Sequence, residues 1–184
     1  MTATHGAAVG EVFAFLSGLY FRGKLTYARA FARPPDPASP VSGAGAFVIT
    51  PTAGLRAVYT VVRLDTLCAF AQVDVAADNP LYRKPLQASA LAVASDIGSD
   101  CNFVLLGSIA SPKYVEVLEA IFGERLLIPA QFVGRGDMSR GGLMLRCVAA
   151  SEELRYIPVA GAMRRGPRPP KLDPATRPRS RSQS

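Results

Sequence analysis

Residues 102–128 read NFVLLGSIASPKYVEVLEAIFGERLLI, and their pattern sets the expected fold. Residues 102–106 are an apolar run of strand length, and 107–111 are a loop of small residues. From 112 to 122 the period changes. Val115, Leu118 and Phe122 fall on one helical face, while Glu116 and Glu119 lie near the other. Gly123 suits a helix C-terminus, and RLLI at 125–128 is a second short apolar run. Strand, helix and strand with short connections make a βαβ unit, with parallel strands and a right-handed crossover.

Upstream of this unit, AFVIT at 46–50 reads as a strand, and PTAG at 51–54 as a turn. Residues 56–62 are β-branched and read as a strand or an extended connector. Asp65 is placed to cap a short helix through Phe70. Asn79-Pro80 opens a helix running towards Ile97, with a kink or a late start near Leu86 expected from Pro85. Residues 23–32 have helical spacing in Leu25, Ala28 and Phe31, with Lys24 and Arg29 left to solvent, whereas VFAFLSGLY at 12–20 fits either a strand or a helix start. Four prolines in 33–43 exclude regular structure there. Downstream, the runs 143–149 and 154–160 read as an antiparallel hairpin or an appended pair. The expectation is an α/β fold. It is a three-layer α/β/α domain over 1–162 with a mainly parallel sheet and an antiparallel C-terminal hairpin, followed by a disordered basic tail over 163–184.

Composition narrows the chemistry. The chain has 184 residues and a formal charge of +7. Residues 164–184 hold seven basic residues against one acid, Asp173, which makes the tail +6. The rest has fourteen basic and thirteen acidic residues, or +1, so the folded part is nearly neutral. Such a tail suits nucleic acid or an acidic partner, and equally a solubilising extension. No stretch approaches the roughly 20 apolar residues that span a bilayer, and no export signal is evident, so no membrane association and a cytoplasmic location are expected. Cys68, Cys101 and Cys147 form no Cys-x-x-Cys pair, and His5 is the one histidine. That excludes a His-rich metal site and makes a His-dependent triad a poor fit, so no metal and no cofactor are expected.

In open α/β sheets, ligands sit beyond the carboxyl ends of parallel strands. Three loops qualify. The first contributes Thr50 and Thr52, the second Gly107, Ser108 and Ser111, and the third, GRGDMSRGG at 134–142, Gly134, Arg135, Gly136, Asp137, Ser139 and Arg140. Glycines let backbone N–H groups approach an anion, and arginines add bidentate donors. Ser108 and Ser111 precede a helix N-terminus, where the free N–H groups favour a phosphate or carboxylate, although Ser111 serves equally as an ordinary cap. The third loop is neither a P-loop nor a dinucleotide fingerprint, and a mobile surface loop has the same composition. Among Asp65, Asp78, Glu116 and Asp137, only Asp137 lies in such a loop, and pairing with an arginine accounts for it as well.

The order of segments resembles an uncharacterised bacterial domain related to the glycosylase-like domain of archaeosine synthase. The likeness rests on Leu19-Tyr20-Phe21 ahead of Tyr27-Ala28, then Gly54-Leu55, Tyr82, the strand ending at Leu106-Gly107, Tyr114, Pro129 and residues 134–142. It spans 12–146. Thr52 stands where that domain pattern has a lysine ahead of the Gly-Leu pair, and the initial strand is shortened or missing. The resemblance implies an α/β/α layered fold and a nucleoside- or nucleic-acid-related role. The leading expectation is therefore a domain that binds a nucleotide, nucleoside or other anionic ligand at these loops, with reaction on a glycosidic bond open. The alternatives are a non-catalytic interaction module that uses its basic tail for nucleic acid or an acidic partner, and an assembly protein without a ligand.

Overall fold

The computed structural model of the chain describes residues 6–110, 112–162 and 169. Ser111 and, apart from Pro169, the basic tail expected over 163–184 lie outside the described residues.

The apolar stretch at 12–20 is helical except at Ser17. It is divided between α1 (Val9–Leu16) and α2 (Gly18–Phe31), with Ser17 between them. β1 (Ala7–Ala8) pairs antiparallel with β4 (Val61–Val62). β2 (Phe47–Thr50) and β3 (Gly54–Ala57) form a hairpin whose register runs from Phe47 opposite Ala57 to Thr50 opposite Gly54. Strand alternation sends Val48 into one hydrophobic cluster while Phe47 and Ile49 pack against another. α3 (Leu64–Ala71) begins one residue before Asp65, so Asp65 sits in its first turn and does not cap it.

α4 (Pro80–Ile97) starts as its sequence predicts, with Asn79 Oδ1 accepting from Leu81 N at 3.0 Å. Pro85 does not delay it. The carbonyl left without a donor belongs to Leu81, which is 66% exposed and open to water. The buried stripe Tyr82, Leu86, Ala90, Val93 and Ile97 then packs inward at helical spacing. β5 (Phe103–Val104), α5 (Pro112–Phe122) and β6 (Leu126–Pro129) form the expected βαβ unit, with Phe103 opposite Leu126 in a parallel pair. α6 (Asp137–Ala150) follows, and β7 (Tyr156–Pro158) pairs antiparallel with β6.

The expected three-layer α/β/α architecture with a mainly parallel sheet does not form. About half of the described residues are helical, and the strands among them fall into two antiparallel pairs and one mixed three-stranded sheet, β5-β6-β7. The predicted antiparallel hairpin of 143–149 with 154–160 is also corrected, because residues 143–149 lie inside α6. That run is apolar enough for a strand, yet Leu, Met, Arg and Ala are good helix formers and Val148 is its one β-branched residue. The glycine-rich loop at 134–142 accordingly shrinks to 134–136.

Two hydrophobic clusters result. The larger gathers α4, α5, Met144 of α6 and the β5-β6-β7 sheet. The smaller joins Val9, Ala14, Leu25, Val48, Val58, Val62 and Phe70. α2 and α6 cross with backbones in near contact. A Cβ on Gly23 would lie 2.8 Å from Gly141 O, and one on Gly141 would lie 2.9 Å from Tyr20 Cα. This crossing lays the first turn of α6 over the middle of α2.

Candidate functional site

Between the two clusters lies a cavity of about 840 Å³. Close-packed interiors leave few voids larger than a water, and ligand cavities run to roughly 300–1,000 Å³. The walls are mainly apolar and come from α2, β2, β3, α4, β5, α5 and β6. Arg33, Pro35, Asp100, Asn102 and Glu153 are its exposed lining residues and form the mouth. Tyr27, Ser42, Thr50, Tyr82 and Gly107 are buried, and with half-buried Lys24, Tyr114 and Tyr156 they form its inner polar lining.

Several polar groups at the lining and behind it can be traced to what holds them. Tyr114, on α5, donates from its hydroxyl to Ser108 O at 2.7 Å, and Tyr20, on α2, donates to Leu106 O at 3.1 Å. Both phenols thus clasp the segment leaving β5. Burial pushes Tyr20 up to about 12 against the opposing pull of the Arg140 guanidinium, and it raises Tyr114 as well. Thr50 spends its hydroxyl on the hairpin turn, donating to Gly54 O at 2.9 Å and accepting from Ala53 N at 3.2 Å.

Two groups differ from these. The Tyr82 hydroxyl is buried out of reach of the hollow and has no hydrogen-bond partner among the described residues, and burial, reinforced by Tyr114, pushes it up to about 12. The Lys24 ammonium has no ion-pair partner among the described residues. It rests 4.0 Å from the centroid of the Tyr20 ring and 5.7 Å from that of Phe21. Burial is the main cause that brings it down to about 8. Arg140 adds to this effect, and Asp137 opposes it.

The predicted site residues separate into two groups. Thr50 and Gly107 line the cavity. Ser108 contributes its carbonyl to Tyr114, while its hydroxyl accepts from Ala110 N at 3.3 Å. Asp137 and Arg140 stand behind Lys24 and Tyr20, brought there by the α2–α6 crossing. Arg140 is 11% exposed. Its Nε and Nη2 donate to Phe132 O at 3.2 and 3.0 Å, and its Nη1 lies 3.5 Å from Asp137 Oδ1. Arg135 is turned away, donating to Gln131 O at 3.0 Å and to Ser139 Oγ at 3.2 Å. Thr52, Gly134, Arg135, Gly136 and Ser139 do not line the cavity, and Ser111 is not among the described residues.

Reading the residue pattern for function passed over Lys24, which was assigned to solvent, and left Tyr20, Tyr82 and Tyr114 without a role. A usable signal was present in Tyr20 and Lys24, which stand at i and i+4 on one helix among Phe21, Leu25 and Tyr27. Among the described residues, no group of three or more His, Cys, Asp or Glu could hold a metal, and no helix is long and apolar enough to cross a membrane. No family model, curated protein or solved structure matches this chain.

Proposed function

We propose that the cavity binds a small organic molecule with a planar or apolar body and an anionic or hydrogen-bond-accepting end, the class to which nucleosides and nucleotides belong. The observation that carries this reading is the cavity of about 840 Å³ itself, with mainly apolar walls and with Lys24, which has no ion-pair partner among the described residues, on its lining. Lys24 is the cation that matches an anionic end. Phe47 and Phe103 line the same hollow with rings 6.3 Å apart at 22°, a surface suited to a planar body.

The charge balance favours a neutral or singly charged ligand over a triphosphate, because Lys24 is the one cation on the inner lining and Arg33 stands at the mouth. Binding is better supported than glycosidic cleavage. The lining carboxylates, Asp100 and Glu153, are both at the exposed mouth, whereas the inner lining holds phenols and an ammonium in place of a flanking carboxylate pair.

The test is a thermal-shift panel of nucleosides, mononucleotides and 1-anilinonaphthalene-8-sulfonate. A ligand of the cavity raises Tm with concentration. Lys24→Met weakens it about tenfold, equivalent to about 1.4 kcal/mol. Ala28→Leu, which fills space at the lining, abolishes it, and Arg135→Ala leaves it unchanged. A panel without any shift, or shifts undiminished in Lys24→Met, overturns the reading.

A further inference from the structure

We infer that this cavity receives an extended peptide segment, which enters as an added β-strand between β2 and β5. The inference rests on the reading that the cavity takes a ligand, and it identifies the apolar body of that ligand as a polypeptide strand.

The lining carries the first sign. A strand that shows a cavity one face contributes alternate residues. Here residues 45–51 and 100–107 line the hollow without a gap, so β2 and β5 present their edges to it. Neither edge is taken. β2 pairs with β3 alone, and β5 with β6 alone.

The alternation of ladder hydrogen bonds shows which groups are left over. Val58 N donates to Ala46 O at 3.1 Å, and in this antiparallel register Val48 and Thr50 also turn their N–H and C=O groups to β3. Phe47 and Ile49 therefore turn theirs the other way. Leu55, opposite Ile49, fits the same alternation, because its N–H points off the pair to Ser89 Oγ. On β5, Leu105 N donates to Leu127 O at 2.8 Å, so Phe103 and Leu105 turn to β6 and Val104 turns to the hollow. Among the described residues, no other strand or loop backbone takes up the groups of Phe47, Ile49 and Val104. An inserted strand pairs with both rows at once and joins the β2-β3 pair to the β5-β6-β7 sheet.

The walls state the chemistry of the insert. β2 is four residues long, which sets the length of the insert at about four. Leu25 and Ala28 line the hollow on the Val48 side of β2, and Ile97 and Leu118 on the Phe47 side. A strand covered on both faces is a continuous run of apolar, β-branched residues. Charge at the mouth selects what flanks that run. Arg33 lies 3.4 Å from Glu153, while Asp100 has no ion-pair partner among the described residues. The surplus negative charge suits a lysine or arginine beside the apolar run. Residues 164–184 of the chain itself are basic but hold five prolines and no apolar run, so the insert belongs to another polypeptide.

The experiment follows amide hydrogen exchange residue by residue in the full chain, with and without a capped synthetic peptide of sequence KKVIVIT. Before addition, the amides of Phe47, Ile49 and Val104 are expected to exchange about tenfold or more faster than those of Val48 and Leu105, which their ladders already hold. With the peptide bound, they slow into the range of those neighbours. Proline in place of the central valine abolishes the effect. Glutamates in place of the two lysines weaken binding several-fold, as does Asp100→Asn with the original peptide. Exchange unaltered by KKVIVIT, an equal effect of the proline peptide, or binding undiminished by the glutamates overturns the inference. Slow exchange at the three amides before any peptide is added also overturns it, and its dependence on protein concentration then tells a second copy from a segment of the chain itself. If nucleosides or the sulfonate raise Tm in a Lys24-dependent way while the peptide leaves these amides unchanged, the strand falls and the cavity reading stands. If neither binds, both fall.

Discussion

Along one side of α2, Gly23 lies so near Gly141 that a Cβ would press on its backbone at 2.8 Å, while Lys24, Tyr27, Ala28 and Phe31 of the same helix face about 840 Å³ of hollow. The closely packed seam explains how the hollow is kept open. Across the cavity, Gly54 packs against the Pro85 carbonyl and Ser89 Oγ of α4, and Ser89 Oγ in turn accepts from Leu55 N at 2.8 Å. Both walls are thus held by backbone-to-backbone or backbone-to-hydroxyl contact, geometry that resists collapse. An unfilled hollow forfeits dispersion contacts on every lining side chain, and a bound ligand restores them.

Substitutions at the seams test this contrast most strongly. Gly54→Ala is expected to cost about 3 kcal/mol in urea denaturation, because φ is +65° there and the added methyl meets Pro85 and Ser89. A loss under about 1 kcal/mol would show that the hairpin shifts freely and that this wall is soft. Gly23→Ala is expected to cost about 2 kcal/mol by forcing α6 away. It should also raise the apparent value of Lys24 towards that of an ordinary lysine, as α6 uncovers it. Unchanged stability there would break the claim of a fixed crossing.

Two phenols on the lining sharpen the comparison further. Tyr27 OH accepts from the buried Leu154 N at 2.8 Å and pairs with Tyr156 OH at 2.6 Å, which in turn donates to Glu153 Oε1 at 2.9 Å. Tyr27→Phe orphans that amide and should cost about 1–2 kcal/mol, whereas Tyr82→Phe removes a hydroxyl with no partner and should change stability by less than about 0.5 kcal/mol. Equal losses in the two variants would mean that Tyr82 is also paired.

The smallest effect is in pH. Lys24 is held near 8 against an ordinary 10.5, so between those values the unfolded chain keeps a proton that the folded chain has lost. Lys24 therefore adds stability as pH rises from about 8 towards 10.5, and the difference in Tm between wild type and Lys24→Met should move in favour of wild type over that window. Tyr20 and Tyr82, raised to about 12, act oppositely and withdraw stability above about 10. A flat difference curve would place Lys24 in water.

Much of the local structure was legible from residue order. The β5–α5–β6 unit declared itself through a change of hydrophobic period, and Asn79-Pro80 opened α4 where its capping chemistry predicts. α6 was concealed by its glycines. Gly141 and Gly142 look like loop residues, but Gly141 stands inside a helix because α2 leaves no room for a side chain. That one misreading displaced the predicted hairpin, extended the predicted anion loop and kept Lys24 in solvent. Of the predicted site, Thr50 and Gly107 reach the cavity and Arg140 stands behind Tyr20 and Lys24, while Arg135 is spent on its own turn.

Residue order by itself determined the elements whose causes lie within a few positions: caps, turns, the proline-rich loop and the strand–helix–strand unit. The tertiary structure alone decided that the strands remain in three small sheets, that α6 covers Lys24, and that a hollow opens beside it. Those outcomes depend on which surfaces meet across more than a hundred residues. A helix cannot encode in its own period whether the face beside it will be covered, empty or wet.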